Sequence, residues 1–336
     1  MVDSHRILVT GGAGFIGSHV AGNLTEQGHE VTVLDDLSGG SLENVPAGCE
    51  FIQGDITDST LVDHLFESRK FDLVYHLAAY AAEGLSHFIR RFNYTNNLIG
   101  SVTLLNAAIR QKTSRFVFTS SIAVYGTGQL PMTEDMVPCP EDPYGIAKRA
   151  FELDLQAAAE MFGIEYVIFR PHNVYGEGQN IGDPYRNVVG IFMNRIMRRE
   201  PMTIFGDGKQ TRAFSYIGDV APTIAQSGFE AQAKNRIFNV GADEPVAVID
   251  LAHMVAELFE VKPDIVYLAP RNEVMHAFSD HSALREVFGA RKYTPILEGL
   301  RRMSLWARAQ GHHTPTPFTN IEIVENLPES WRRLMQ

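Results

Sequence analysis

The chain has 336 residues, of which 45% are hydrophobic and 21% charged, and its formal net charge at pH 7 is −11. These proportions are typical of a globular protein with one large or two modest domains. The negative charge argues against nonspecific nucleic-acid binding, which requires a basic surface, so we expect no nucleic-acid partner.

The cysteines and histidines give no sign of a disulfide framework or of a metal centre. Cys49 and Cys139 form no C-x-x-C pair, and the twelve histidines are scattered along the chain. No charged-then-apolar leader precedes the first apolar run, and we find no run of 18 apolar residues. We therefore predict a cytoplasmic protein with no metal and no membrane partner.

A glycine-rich turn lies between the first predicted strand, residues 6–9, and a helix that begins near Phe15. Because glycine adopts positive φ and has no side chain, a pyrophosphate can approach the backbone N–H groups of such a turn. Those N–H groups lie at a helix N-terminus, which favours an anion. The glycines fit two spacings, G-x-G-x-x-G at Gly12, Gly14 and Gly17 or G-x-x-G-x-x-G at Gly11, Gly14 and Gly17.

An acidic residue, Asp35, follows the second predicted strand, residues 31–34, and lies 18 residues after Gly17. Its carboxylate can accept hydrogen bonds from both ribose hydroxyls of NAD and would repel a 2′-phosphate. The alternative is a tight turn followed by a helix-capping aspartate. The order strand, turn, helix, strand and acid favours an NAD site.

Residues 1–170 alternate apolar strands with amphipathic helices. Further strands are predicted at residues 50–54, 71–77, 115–119 and 165–170, and long helices at residues 88–110 and 143–162. This alternation predicts an α/β fold with a Rossmann-type, doubly wound parallel sheet. Ligands bind beyond the carboxyl ends of the strands in such sheets. Those ends hold Gly11, Asp35, Asp55, Ala78, Ser121 and residues 170–173.

The pattern changes near Pro171, where glycine, proline and asparagine become frequent and the predicted strands become short. We predict an NAD-binding Rossmann domain at residues 1–170, to which a later part, about 213–250, returns. A smaller C-terminal substrate-binding domain is predicted mainly at 171–310, and an extended tail at 311–336.

Tyr144 and Lys148 lie four residues apart near the start of a helix that Pro143 opens, so both side chains share one face. A free phenol has a pKa of about 10. A lysine cation and a positive nicotinamide ring favour the phenolate, which can then take the proton of an alcohol as its hydride leaves for NAD. Ser121, at a neighbouring strand end, can donate a hydrogen bond to the same oxygen or simply cap the strand.

Several different short motifs occur along residues 6 to about 305. They are TGGAGFIGSH, Asp55-Ile56, His76-Leu77-Ala78-Ala79, Asn97-Leu98-Ile99-Gly100, Ser120-Ser121, Val124-Tyr125-Gly126, Tyr144-x-x-x-Lys148 and Arg170-Pro171-x-Asn173-Val174-Tyr175-Gly176. The set resembles the extended short-chain dehydrogenase/reductases, and within them the nucleotide-sugar 4-epimerases and dehydratases. The resemblance implies tightly bound NAD, oxidation of the sugar at C4 and a 4-keto intermediate.

The resemblance also implies roles for individual residues. Ser121, Tyr144 and Lys148 would be catalytic. Cofactor contacts would come from Gly11, Gly14, Phe15, Ile16, Gly17, Asp35, Asp55, Ile56, Leu77, Ala78, Ala79, Asn97, Tyr144 and Lys148. Substrate contacts would come from Glu83, Ser121, Tyr144, Asn173, Arg212 and Arg271. The last two would bind the nucleotide pyrophosphate, although the motif around Arg271 is shortened and surface ion pairs are the alternative. The two long helices resemble the family's dimer-forming pair, so we expect a homodimer.

The residues after Ser121 separate the possible reactions. The 4,6-dehydratases that the chain resembles carry an Asp-Glu pair there, and the 3,5-epimerases of GDP-mannose carry a cysteine at the second position, but this chain has Ile122 and Ala123. We therefore predict 4-epimerisation of a nucleotide-diphosphate sugar, with UDP favoured. Glu83 leaves a dehydratase or a C3/C5 epimerase as the alternative, with this carboxylate as acid or base. A non-catalytic NAD-binding protein is a further alternative, although it would not need the Ser-Tyr-Lys trio.

Overall fold

The computed structural model describes residues 4–270 and 274–335. The strands of these residues are β1 (Arg6–Thr10), β2 (Glu30–Asp35), β3 (Glu50–Gln53), β4 (Leu73–His76), β5 (Arg115–Thr119), β6 (Glu165–Pro171), β7 (Val174–Tyr175), β8 (Met202–Phe205), β9 (Thr211–Ala213), β10 (Ser215–Tyr216), β11 (Arg236–Val240), β12 (Pro245–Ala247), β13 (Ile265–Leu268) and β14 (His276–Ala277). The α-helices are α1 (Phe15–Glu26), α2 (Ser59–Arg69), α3 (Glu83–Ser86), α4 (Arg90–Tyr94), α5 (Gly100–Arg110), α6 (Pro143–Phe162), α7 (Val188–Met197), α8 (Ile217–Ser227), α9 (Val248–Leu258), α10 (Ser282–Phe288), α11 (Ile296–Gln310) and α12 (Glu329–Arg332).

Seven of these strands form one parallel sheet in the order β11-β6-β5-β4-β1-β2-β3. The chain starts at the central β1, winds outward to β3 and then returns to β4 on the other side of β1. The direction of winding therefore reverses between β1 and β4, which opens a crevice at the carboxyl ends of these strands. The predicted Rossmann-type fold is confirmed.

The central strands are apolar on both faces because helices cover both sides of the sheet. Ile7 and Val9 of β1 pack in one core cluster, whereas Leu8 between them packs in the other. Side chains alternate across a strand, so this division places one helical layer on each face. The first layer includes Val20 of α1, and the second includes Phe151 of α6.

A second region of smaller sheets lies beyond the main sheet. Strand β9 pairs antiparallel with β12 and parallel with β14, while β8 pairs in parallel with β13. Between these pieces the chain returns to the main sheet as β11, which pairs with β6. The second region is therefore joined to the main sheet by several crossings of the chain.

The stretch after α11 runs across the surface with little regular structure until α12. Leu327 and Trp331 pack against Leu85 and Ile89, which precede α4. Both carboxylate oxygens of Glu322 accept backbone N–H groups at the start of α4, from Arg91 and Phe92, each at 2.8 Å. Because the first N–H groups of a helix have no partner within the helix, Glu322 stabilises the beginning of α4.

Candidate active site

A cavity of about 510 Å³ lies at the carboxyl edge of the main sheet, between the β1–α1 turn and the second region. It brings together most of the residues that the sequence predicts for cofactor and substrate. Its lining includes Gly11, Gly14, Phe15, Ile16, Gly17, Asp35, Asp55, Ile56, Leu77, Ala78, Ala79, Glu83, Ser121, Tyr144, Lys148, Asn173 and Arg212. Asn97 is not among the lining residues, and Arg271 lies outside the described residues.

The glycine turn has the geometry that close approach of an anion requires. Gly11 has a φ of +71°, which favours glycine. A Cβ on Gly17 would lie 2.1 Å from the carbonyl oxygen of Gly11, so only glycine lets α1 pack this tightly on the turn. Gly14 is the N-cap of α1 and makes no side-chain cap, so the first N–H groups of the helix remain available beside the cavity.

Replacing Gly17 by alanine is expected to weaken NAD binding by at least about tenfold, because the new Cβ would push α1 away from the turn. Gly22 of the same helix provides the control, since a Cβ there would make an ordinary contact at 3.6 Å with Pro46. Gly22→Ala should leave NAD affinity unchanged and stabilise the helix by about 0.5–1 kcal/mol. Titration calorimetry and urea unfolding measure both effects, and equal NAD affinity in the two variants would contradict the prediction.

Asp35 is held at the end of β2 by two backbone donors. Its Oδ2 accepts from the N–H of Ala13 at 3.0 Å, and its Oδ1 accepts from the N–H of Leu37 at 2.8 Å. Burial raises the pKa of this carboxyl, while the backbone hydrogen bonds lower it. Each carboxylate oxygen can accept a further hydrogen bond, so the side chain suits a pair of ribose hydroxyls.

The predicted catalytic residues lie on two adjacent elements. Ser121 follows β5 and caps a short turn, accepting from the N–H of Ala123 at 3.1 Å. Helix α6 begins at Pro143, and the Asp142 side chain caps it by accepting from the N–H of Gly145 at 2.9 Å. Tyr144 and Lys148 are therefore placed on one face of the first turns of α6, beside the cavity.

Lys148 is buried beneath Tyr144. Its Nζ donates to the carbonyl of Thr119 at 2.8 Å and lies 5.9 Å from the centre of the Tyr144 ring. Burial lowers the pKa of Lys148 to about 7, although the nearby Glu152 carboxylate raises it. The sequence predicts that the lysine lowers the pKa of Tyr144, but in the structure burial of the phenol raises that pKa, and the hydrogen bond with Ser121 only opposes the rise.

The floor of the cavity presents polar atoms that fit a bound nicotinamide cofactor. Among the described residues, no partner is found for the buried Oγ1 of Thr119 or the buried Oγ of Ser120, and both residues line the cavity. Buried hydroxyls are rarely left unpaired, which points to a polar ligand at this edge. Together with the glycine cradle and Asp35, these hydroxyls form a donor and acceptor set that NAD fits.

The Glu83 segment is joined to the start of α6. The Ser86 hydroxyl donates to the carbonyl of Glu83 at 2.6 Å and accepts from the N–H of Tyr144 at 3.2 Å. The Glu83 side chain is exposed and lines the cavity. This short chain of hydrogen bonds fixes the position of Glu83 relative to the Tyr144 backbone.

Two other predicted residues hold neighbouring backbone. Asn97 accepts from the N–H of Tyr80 at 2.9 Å and donates to the carbonyl of Tyr80 at 3.1 Å, so its amide supports the loop after β4. The guanidinium of Arg212 donates to the carbonyls of Val274 at 2.6 Å and Met275 at 3.0 Å. Arg212 is thereby fixed at the end of the cavity formed by the second region.

The sequence predictions gave the lining residue Arg186 no role, placed Tyr80 only in the loop over the sugar site, and left the buried His172 as either a substrate contact or a packed side chain. The Nδ1 of His172 lies 2.9 Å from the carbonyl of Ala213, and its Nε2 lies 3.1 Å from a nitrogen of His281. Only the position of His172 beside Asn173 marks it in the sequence. No motif marks Arg186, because its contact with Tyr80 depends on the tertiary fold.

Comparison with known proteins agrees with this geometry. The model of the NAD dependent epimerase/dehydratase family matches residues 7–241. The chain belongs to this family. Membership makes NAD its cofactor, as predicted, and the recognition of an extended short-chain dehydrogenase/reductase is confirmed.

Individual relatives cover most of the chain. A UDP-glucose 4-epimerase of Mycolicibacterium smegmatis is 33% identical over 307 residues, which are 88% of this chain and 96% of the relative. A dTDP-D-glucose 4,6-dehydratase of Homo sapiens is 32% identical over 94% of this chain and 93% of the relative. The structure of the Thermus thermophilus UDP-glucose 4-epimerase in complex with NAD has a TM-score of 0.84 and 32% identity, and covers 90% of this chain and 98% of that one.

Within residues 4–270 and 274–335, no helix is long and apolar enough to span a membrane. The same residues contain no group of three or more His, Cys, Asp or Glu side chains that could hold a metal ion.

Proposed function

We propose that this protein is an NAD-dependent 4-epimerase of a nucleotide-diphosphate sugar, with UDP-sugars favoured. The proposal depends above all on one observation: Ser121, Tyr144 and Lys148 line the same cavity as the glycine turn and Asp35. The relatives named as UDP-glucose 4-epimerases support both the reaction and the nucleotide.

The chemistry follows from the positions of these side chains. NAD, when bound, supplies the hydride acceptor for oxidation at C4 and the hydride donor for the return. The Tyr144 phenolate oxygen takes the proton of the C4 hydroxyl and later gives it back, and Ser121 donates a hydrogen bond to the same sugar oxygen. Because burial disfavours the Tyr144 phenolate, the ammonium form of Lys148 is needed nearby to stabilise it.

Ile122 and Ala123 line the cavity directly after Ser121 and carry no acid or base. Epimerisation at C4 needs none there, because the hydride that leaves C4 returns to C4. The one alternative with an observation in its favour uses Glu83, which lines the cavity and is tied to the start of α6. In that case the protein would be a dehydratase, as the name of the human relative suggests, or a C3/C5 epimerase. A non-catalytic NAD-binding protein would not need Ser121, Tyr144 and Lys148 in this arrangement.

Proton NMR in D₂O with a panel of UDP- and GDP-sugars tests the proposal. We expect conversion to the C4 epimer without deuterium in the ring, because the hydride leaves and returns without exchange with solvent. Deuterium at C3 or C5, or loss of the C6 oxygen, would overturn 4-epimerisation and favour Glu83 as the base. Full turnover by Glu83→Gln on the true substrate would exclude that role for Glu83.

We further propose the residue roles and the domain division given by the sequence: residues 1–170 with about 213–250 for NAD, 171–310 mainly for the nucleotide sugar, and 311–336 as a tail. A homodimer in the cytoplasm belongs to the same proposal. Large apolar side chains exposed along the two long helical stretches support self-association, namely Ile99 at 54%, Leu153 at 51%, Met161 at 75% and Phe162 at 63% exposure. A monomeric mass by light scattering at micromolar concentration would refute the dimer.

A further inference from the structure

The described lining of the cavity carries more carboxylates than cations. The carboxylates are those of Asp35, Asp36, Asp55, Glu83, Glu141 and Asp142, whereas the lysine and arginine side chains are those of Lys148, Arg186 and Arg212. Lys148 is fixed on the Thr119 carbonyl below the catalytic tyrosine, and Arg212 is fixed on the carbonyls of residues 274 and 275. A dinucleotide places an anionic diphosphate near the glycine turn, whereas these two cations are held on the carbonyls of β5 and of residues 274 and 275.

Arg186 belongs to the second region but reaches the loop that covers the glycine turn. This loop lies close on the turn, because a Cβ on Gly40 would be 2.5 Å from the carbonyl oxygen of Ala13. A Cβ added to the neighbouring Gly39 would lie 3.6 Å from Nη2 of Arg186. Asn44 joins the two regions here by donating to the carbonyls of Ala13 at 3.3 Å and Gly178 at 3.2 Å. The guanidinium therefore lies at the cofactor end of the cavity.

The guanidinium is held firmly on one side. The carboxylate Oδ2 of Asp183 accepts from Nε of Arg186 at 2.7 Å and lies 2.6 Å from its Nη2. The Tyr80 ring packs against the guanidinium, whose central carbon is 4.8 Å from the ring centre. The Arg186 side chain is only 16% exposed, and across the described part of the chain we find no acceptor for its Nη1. Its remaining donors are therefore held at a fixed position beside the cavity.

We propose that Arg186 binds the diphosphate of NAD, as a cation that the second region places against the glycine turn. A planar guanidinium can donate two parallel hydrogen bonds to phosphate oxygens, and this complements the backbone N–H groups of the turn. Asp183 and Tyr80 are the positioning residues of this contact. The inference shares its cofactor site with the proposed function but does not depend on which reaction the enzyme catalyses.

Binding measurements on the NAD-free protein test the proposal without any turnover. Calorimetry with NAD, ADP-ribose and adenosine compares ligands that contain the diphosphate with one that lacks it. For Arg186→Gln we expect affinities for NAD and ADP-ribose about 10- to 100-fold weaker, with adenosine affinity changed less than about twofold. Arg186→Lys keeps the positive charge but lacks the two parallel N–H donors of a guanidinium. Its affinities for NAD and ADP-ribose should therefore lie between those of the wild type and of Arg186→Gln.

Arg198 supplies a matched control, since it pairs with Glu200 at 2.7 Å and does not line the cavity. Arg198→Gln should bind all three ligands as the wild type does. Unchanged NAD affinity in Arg186→Gln would overturn the proposal, and so would an equal loss for adenosine or a loss confined to the nucleotide sugar. If the D₂O experiment shows no 4-epimerisation, the dependence of ADP-ribose binding on Arg186 still decides this inference separately.

Discussion

Replacing Tyr144 by phenylalanine is expected to lower kcat for C4 epimerisation by about 10²- to 10⁴-fold, the usual contribution of a general acid–base residue. The hydroxyl is the only group removed, and the buried ring keeps its place at the start of α6. NAD should therefore bind almost as tightly as before. Steady-state kinetics and calorimetry with NAD measure the two quantities.

Tyr267 serves as the control for this substitution. It is 55% exposed on β13 and does not line the cavity, so Tyr267→Phe should leave kcat unchanged. If Tyr144→Phe kept more than about a tenth of the wild-type kcat, the acid–base role of the phenol would be wrong. A parallel loss of NAD binding would instead indicate damage to the whole site.

Replacing Arg170 by methionine is expected to lower the free energy of unfolding by about 3 kcal/mol, because the buried Glu152 carboxylate would keep only the partly exposed Arg149 guanidinium, at 3.0 Å, as a counter-charge. The Arg170 and Glu152 side chains are 1% and 0% exposed. Nε of Arg170 donates to Oε1 of Glu152 at 2.9 Å, and Nη2 donates to Oε2 at 2.7 Å. Equilibrium unfolding in urea measures the change.

Two further variants make this prediction specific to a buried pair. Arg301→Gln breaks an exposed pair with Glu298 and should cost less than about 1 kcal/mol. The double variant Arg170→Met with Glu152→Leu removes both charges and should recover much of the lost stability. If the free energy of unfolding of Arg170→Met lay within about 1 kcal/mol of the wild-type value, hydration of Glu152 would have replaced the ion pair and the prediction would be wrong.

The same ion pair connects the stability of the core with the active site. Glu152 lies one helical turn after Lys148 on α6, and its charge raises the pKa that burial of the lysine lowers. Arg170 also donates to the Tyr125 hydroxyl at 2.8 Å, which in turn donates to Asn239 of β11 at 2.8 Å. Loss of Arg170 should therefore disturb Lys148 as well as lower stability.

Local patterns predicted a large part of this protein. Helix α6 has the predicted bounds, because Asp142, Pro143 and Gly163 give start and stop signals that act within a few residues. The glycine turn, Asp35 and the spacing of Tyr144 and Lys148 likewise depend on neighbours in sequence. In contrast, the helix predicted at 88–110 contains a π-helical segment, Thr95–Ile99, which its hydrophobic periodicity does not reveal.

The sequence by itself determined the family, the cofactor and the strand ends where the site is built, since a buried parallel strand and a glycine turn are short-range patterns. Only the tertiary structure decided the pKa shifts and the partners of the site residues. Burial, which raises the pKa of Tyr144 and lowers that of Lys148, is a property of the packed molecule. The meeting of Arg186 with Tyr80 and the Gly39 loop also requires distant segments to pack together, and no local pattern encodes such a contact.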